Sequence, residues 1–209
     1  MSSSTLHPLS SAQQGLWYAQ RVSPDNAIFN TAHYTDIQSP IDTALFTHAV
    51  NTVLAQAEIL RLRVIEDNDG PKQHFDAVCP TLEINTDFNT LEDALAFMQA
   101  DRQTAVDPRT DAIARFVLLI LPNQRQLFYM RVHHLAADGY AMNLLEARCI
   151  QHYLALLHQQ PAPPALHRIQ QVLADDLAYQ NSPKKEKDNA FWIEQLQHKE
   201  DVLSLSNES

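Results

Sequence analysis

Residues 133 to 139 read His133-His134-Leu135-Ala136-Ala137-Asp138-Gly139, placing two imidazoles, a carboxylate and a glycine side by side. An imidazole titrates near neutrality, so either histidine can take up and return a proton. The aspartate, four residues after His134, can fix an imidazole tautomer or anchor the turn to a cation. Gly139 permits a backbone conformation or a close approach that a side chain would forbid. A purely structural reading competes, with the histidines closing a buried strand and Asp138 capping the next helix. A His-xxx-Asp pair can also ligate a metal, but no third ligand stands at ligand spacing, so no metal is expected.

The flanking segments determine how these groups are presented. Gln126 to Val132 alternates enough to predict a strand, and the apolar spacing from Tyr140 onward predicts a helix to about Leu157. The histidines therefore belong to a loop between two rigid elements, where reactive groups are commonly displayed. Upstream, Leu9 to Gln20 reads as a short helix with Ser10 or Ser11 as N-cap. Its Trp17 is assigned to core packing. Asn30 to Ile37 predicts a strand, and Leu45, Phe46, Ala49, Val50, Val53, Leu54 and Ala57 outline a helical face. Glu58 to Glu66 alternates like a strand, Asp67 to Gly70 is a hairpin signal, and Lys72 to Ala77 would return. A short strand near 81–85, a helix over 91–104 and a strand over 112–121 lead into the histidine strand through a turn at 122–124. Gln160 to Pro164 is a stiff linker. Two helical pieces, about 167–180 and 187–198, flank the charged run 184–188, read as a solvated turn. The polar stretch after Lys199 reads as frayed. Alternating strands and helices, with a hairpin joining the last two long strands, imply an α/β sandwich with a mixed sheet.

Composition removes several function classes. The chain has 209 residues and is 45% hydrophobic, enough for a sizeable core. A net charge of −10 argues against a nucleic-acid binder, which needs a basic stripe. With only three glycines, Gly15, Gly70 and Gly139, no clustered phosphate-cradling loop can be built. No GxSxG elbow exists either. Cys79 and Cys149 lack CxxC spacing, which fits a reducing, cytoplasmic setting. The first residues lack the charged and apolar regions of a signal peptide. No apolar run is long enough to span a bilayer.

Four stretches taken together resemble the condensation domains of nonribosomal peptide synthetases. Ser10 to Trp17 is similar to that family's SxAQxxxW motif. Glu58-Ile59-Leu60-Arg61 is similar to RHExLRT, with Ala57 in place of His and Leu62 in place of Thr. His133 to Gly139 matches HHxxxDG completely. Asp176 to Gln180 followed by Phe191-Trp192 resembles a degraded YxDYxxWQ. Residues 31–34 and 57–70 further resemble the opening condensation domains of aryl-capped siderophore synthetases. An intact HHxxxDG argues against heterocyclization domains. Epimerization domains share the motif but sit downstream of a carrier, whereas here the first motif lies almost at Met1.

The resemblance implies a chloramphenicol acetyltransferase-like two-layer α/β sandwich lobe with a mixed sheet and flanking helices. It covers essentially the whole chain but one lobe of a two-lobed domain. Residues 1–8 would be a lead-in, 9–180 the N-terminal lobe, and 181–209 the start of the inter-lobe link and a polar end. It implies an acyltransferase forming an amide between two carrier-bound thioesters. His134 would be general base or amine-positioning group, and His133 its support. Asp138 would pair with Arg61 and hold the loop, and the Gly139 N–H would face the oxyanion. Implied partners are donor (aryl or peptidyl) and acceptor carrier proteins, whose phosphopantetheine arms deliver the substrates, and the C-terminal lobe. No separately bound cofactor is implied. Two alternatives stand beside it: a CoA-dependent acyltransferase of the chloramphenicol acetyltransferase type, which also uses HxxxD, and a non-catalytic half-domain acting as a docking platform.

Overall fold

The structure is a computed structural model, and it describes residues 5–122 and 124–197. The anticipated turn residue Asn123, the first residues of the lead-in and the polar end after Lys199 lie outside the described residues. By its contacts the chain divides into two units, Met1–Ile169 and Gln170–Ser209.

The first unit is built on a four-stranded sheet in the order β2-β7-β6-β5 (β2 Asn30–Ile37, β5 Leu82–Asn85, β6 Ala114–Ile120, β7 Gln126–His133). Its pairings are antiparallel except β5 with β6, so the sheet is mixed as the alternation of elements implied. β7 is central and buried along its whole length, which explains its near-continuous apolar run. Helix α2 (Thr43–Gln56, capped by Asp42) and helix α4 (Gly139–Leu157) cover one face. There Phe46, Val50, Leu54 and Met142 pack with Phe116, Phe128 and Met130. Helix α3 (Leu91–Arg102, capped by Thr90) covers the other, burying Ala94 and Met98 against Val117, Leu127 and Tyr129.

A smaller sheet, β1-β4-β3 (β1 His7–Pro8, β3 Arg63–Asp67, β4 Gly70–His74), sits beside helix α1 (Ser11–Val22). Gly70 adopts φ +104° in its hairpin turn, a conformation that favours glycine. Trp17 is a core residue, as read from the sequence. Its ring is 1% exposed and its Nε1 donates to Glu66.

Two local expectations fail. Glu58–Arg61 is a 3₁₀ turn and not strand, and the strand starts at Arg63. Two bonds of the i to i+3 kind, Leu60 N–H to Ala57 O at 3.0 Å and Leu62 N–H to Ile59 O at 3.1 Å, close the turn and leave no strand ladder there. The charged run 184–188 is helical and not a turn. In the second unit, helix α5 spans Ile169–Gln180 and helix α6 Pro183–Leu196, with Ser182 as N-cap and Pro183 in its first turn. Proline at that position fits a helix start, where its missing N–H is not needed. Among the described residues no helix is long and apolar enough to cross a membrane.

Candidate active site

β7 ends at His133, and the chain turns through 134–138 into α4. Both histidines are held through their backbones. His133 N–H donates to Ile113 O at 2.8 Å, and His134 N–H donates to Phe29 O at 2.8 Å. Ala136 N–H donates back to His133 O at 2.8 Å, which closes the turn. The two side chains have different fates because successive residues of a strand face opposite ways.

His133 is 1% exposed, and its Nδ1 accepts from Leu135 N–H at 3.2 Å. Burial, then the neighbouring His134 and Arg131, push its pKa down to about 4. An accepting Nδ1 puts the single proton on Nε2, and the neutral ring packs beside Phe29 with centroids 6.1 Å apart. His133 is thus a fixed neutral support.

His134 is half-buried, and its Nδ1 lies 3.2 Å from Ala137 O. A carbonyl only accepts, so Nδ1 carries the proton and Nε2 keeps its lone pair. The loop's own backbone thereby does the tautomer-fixing that a carboxylate does in a Ser-His-Asp triad.

Asp138 does not form the pair anticipated for it. It is exposed, and its Oδ1 accepts from Ala141 N–H at 2.7 Å as the N-cap of α4. No ion pair joins it to Arg61 among the described residues, and the buried Nε of Arg61 has no hydrogen-bond partner. The Asp138 carboxylate is engaged instead by an N–H of the first turn of α4. Gly139 opens the helix with no positive φ, and a Cβ built on it would meet nothing within 4 Å. Neither strain nor crowding within this chain requires glycine there. Among the described residues no three His, Cys, Asp or Glu side chains are grouped to hold a metal ion.

One residue that the motif contains but spacing alone could not assign is Gln13. Its Nε2 donates to Leu135 O at 3.0 Å, inside the histidine loop, and to Gln73 Oε1 at 3.0 Å. Gln73 Nε2 returns a bond to Gln13 Oε1 at 2.8 Å. Gln13 also completes a capping box with Ser10, so α1 is tied at once to its own start, to β4 and to the loop.

Comparison with known proteins decides the family. The chain matches the family described as "Condensation domain" over residues 3–209. The chain belongs to the condensation-domain family. It is 34% identical over 206 residues to a dimodular nonribosomal peptide synthase of Bacillus subtilis, covering 96% of this chain and 9% of that protein. To enterobactin synthase component F of Escherichia coli K12 it is 31% identical over 208 residues, covering 95% of this chain and 16% of that protein. The starter condensation domain of rhizomide synthetase superposes with a TM-score of 0.84 at 30% identity, covering 95% of this chain and 49% of that one. The first condensation domain of the CDA synthetase gives 0.81 at 26% identity, covering 98% and 53%. The chain thus spans about half the length of these solved relatives and a small share of the curated ones.

Proposed function

We propose that this chain is the N-terminal half of a condensation domain that joins a carrier-bound acyl donor to a carrier-bound aminoacyl acceptor. Residues 9–180 form the lobe and 181–209 begin the link to a second lobe. The observation that carries the reading is the His134 tautomer, with Nδ1–H on Ala137 O and a lone pair left on Nε2.

In the reaction the acceptor amine attacks the donor thioester carbonyl, an N–C bond forms and the C–S bond breaks. The amine loses one proton and the departing thiolate gains one, and Nε2 of His134 orients the amine and relays that proton. The developing oxyanion faces the start of α4, where the Gly139 N–H lacks an intrahelical acceptor and the helix dipole favours negative charge. His133 stays neutral and holds the loop, as do Gln13 and the Asp138 cap. Phosphopantetheine arms on donor and acceptor carrier proteins bring the substrates, so they enter as substrate and not as a resident cofactor.

The likeness to enterobactin synthase component F supports siderophore assembly, and the resemblance of residues 31–34 and 57–70 to aryl-capped siderophore synthetases implies an aryl donor. A variant of the rhizomide domain is described in complex with C8-CoA, which supports acyl donors more broadly. Unpaired Cys79 and Cys149 fit cytoplasmic work.

The test uses the full-length protein with loaded donor and acceptor carriers, following amide product by mass spectrometry. His134→Ala should lower the rate by about 10²- to 10⁴-fold while circular dichroism stays unchanged. Near wild-type turnover with a slow acceptor amine would overturn the assignment. Acylation of a free small molecule without any carrier would mark the CoA-dependent alternative instead.

A further inference from the structure

The same face of the sheet carries a second polar cluster that the reaction above does not use. On the edge strand β2, Thr31, His33 and Thr35 pair with Val132, Met130 and Phe128, the β7 residues that face α2 and α4. Glu146, two turns along α4 from Gly139, reaches down to this strand. His33 Nε2 lies 3.1 Å from one of its carboxylate oxygens, and Thr35 Oγ1 donates to the other. The Glu146 side chain is only 14% exposed and that of His33 30%.

Other carboxylates set against this sheet are treated differently. Asp101 is held by Arg115 and Arg131, and Asp36 by Arg125. Glu146 has no lysine or arginine within ion-pair distance among the described residues and is held by an imidazole and a hydroxyl. A carboxylate taken out of water wants more hydrogen bonds than these two donors supply, since its oxygens can accept about four. The cluster therefore has acceptor capacity left over, in an otherwise apolar seam.

Its place relative to His134 suggests what fills that capacity. Asn30 stands opposite His133 in the ladder, and His33 is three residues further along β2. At about 3.3 Å per residue the cluster lies about 10 Å from the reacting end, on the side of the sheet covered by α4. That span suits the far end of an acyl group whose thioester carbonyl sits at His134.

We propose that His33, Thr35 and Glu146 form a subsite that recognises a hydroxyl at the far end of the donor acyl group, a reading that rests on the condensation function above. A hydroxyl donates its one proton to Glu146 without bringing a second charge to be desolvated. A donor ending in a methyl group leaves the carboxylate short of partners and is disfavoured.

Isothermal titration of the full-length protein with two unreactive CoA thioethers, octyl-CoA and ω-hydroxyoctyl-CoA, tests this directly. The hydroxylated probe should bind roughly 10- to 100-fold tighter, the range for one hydrogen bond to a charged group. Glu146→Gln and Thr35→Val should each bring the two affinities closer together. Thr35→Val is nearly isosteric and lies on an edge strand, so it keeps the test decisive if Glu146→Gln does not fold. Equal affinities in the wild type, or a preference untouched by both substitutions, would overturn the subsite. The amide assay run in parallel separates the two ideas. Hydroxyl-selective binding without amide formation would sink the condensation reading and leave the subsite standing.

Discussion

At the scale of single residues, the two adjacent histidines divide the labour because one faces the core and the other the loop. His133 gives a pH signature. Its folded pKa near 4 lies below the ordinary 6.5, so the unfolded chain binds its proton first as pH falls. The stability tied to neutral His133 is complete above about pH 6.5 and is lost progressively down to about pH 4. Between pH 7 and 5 this amounts to about 2 kcal/mol. Urea titrations should show that loss, and His133→Asn, which keeps an acceptor for Leu135 N–H, should flatten it. A second prediction separates the observed role of Asp138 from the anticipated pair. As a helix cap it contributes about 1 kcal/mol, whereas breaking a buried ion pair would cost about 3–5 kcal/mol. Chemical denaturation of Asp138→Ala should give the smaller value, and Arg61→Ala should not be coupled to it in a double-mutant cycle.

At the scale of elements, the α3 face of the sheet is pinned by one carboxylate. Asp101, in the last turn of α3, accepts from Arg131 Nε at 2.8 Å, Arg115 Nη1 at 2.9 Å and the Tyr129 hydroxyl at 2.8 Å. Burial alone would raise its pKa, but the bond from Arg115, the charge of Arg131 and the Tyr129 hydroxyl hold it below the ordinary carboxylate value. Arg131 is 7% exposed, so removing Asp101 strands a buried cation. Asp101→Ala should cost about 3–5 kcal/mol and lower the melting temperature by about 10 °C, read by calorimetry. Arg131 sits in the register next to Val132 and His133, so the same variant should also reduce activity through the loop. The sequence carried one signal for this network, a lone arginine inside the apolar run Gln126 to Val132. Its partner on α3 is thirty positions away and invisible to local pattern.

At the scale of the whole molecule, the histidine loop is complete within this chain, yet the substrates it would join are not enclosed by it. The 209-residue chain by itself should form no detectable amide from loaded carriers, because the orientation term in the rate is lost. One side of α4 leaves Tyr140, Leu144, Ile150 and Leu154 exposed at helical spacing. Light scattering of the isolated chain should show self-association through such a patch. Association should increase with salt, since a net charge of −10 repels copies at low ionic strength. Turnover comparable to a two-lobed protein, or a strict monomer at high salt, would contradict the respective part.

Local physics was enough to specify much of this. Periodicity marked α2, α3 and α4, because a buried face repeats about every fourth residue in a helix, and apolar runs marked β6 and β7, which are buried on both faces. The order of four short motifs carried the resemblance to the family. What the sequence could not decide was which partners those residues take. Asp138 had two plausible uses, helix cap and ion pair, and only the folded loop showed that the cap is the one it takes. Glu58 to Glu66 alternated like a strand, but its first four residues folded as a turn closed by backbone bonds from Leu60 and Leu62, and only the part from Arg63 paired with β4. Gln13 reaches Leu135 across 122 positions, and Glu146 reaches His33 across 113. Contacts at such separations arise when packed layers bring their ends together, so they became visible only in the tertiary structure.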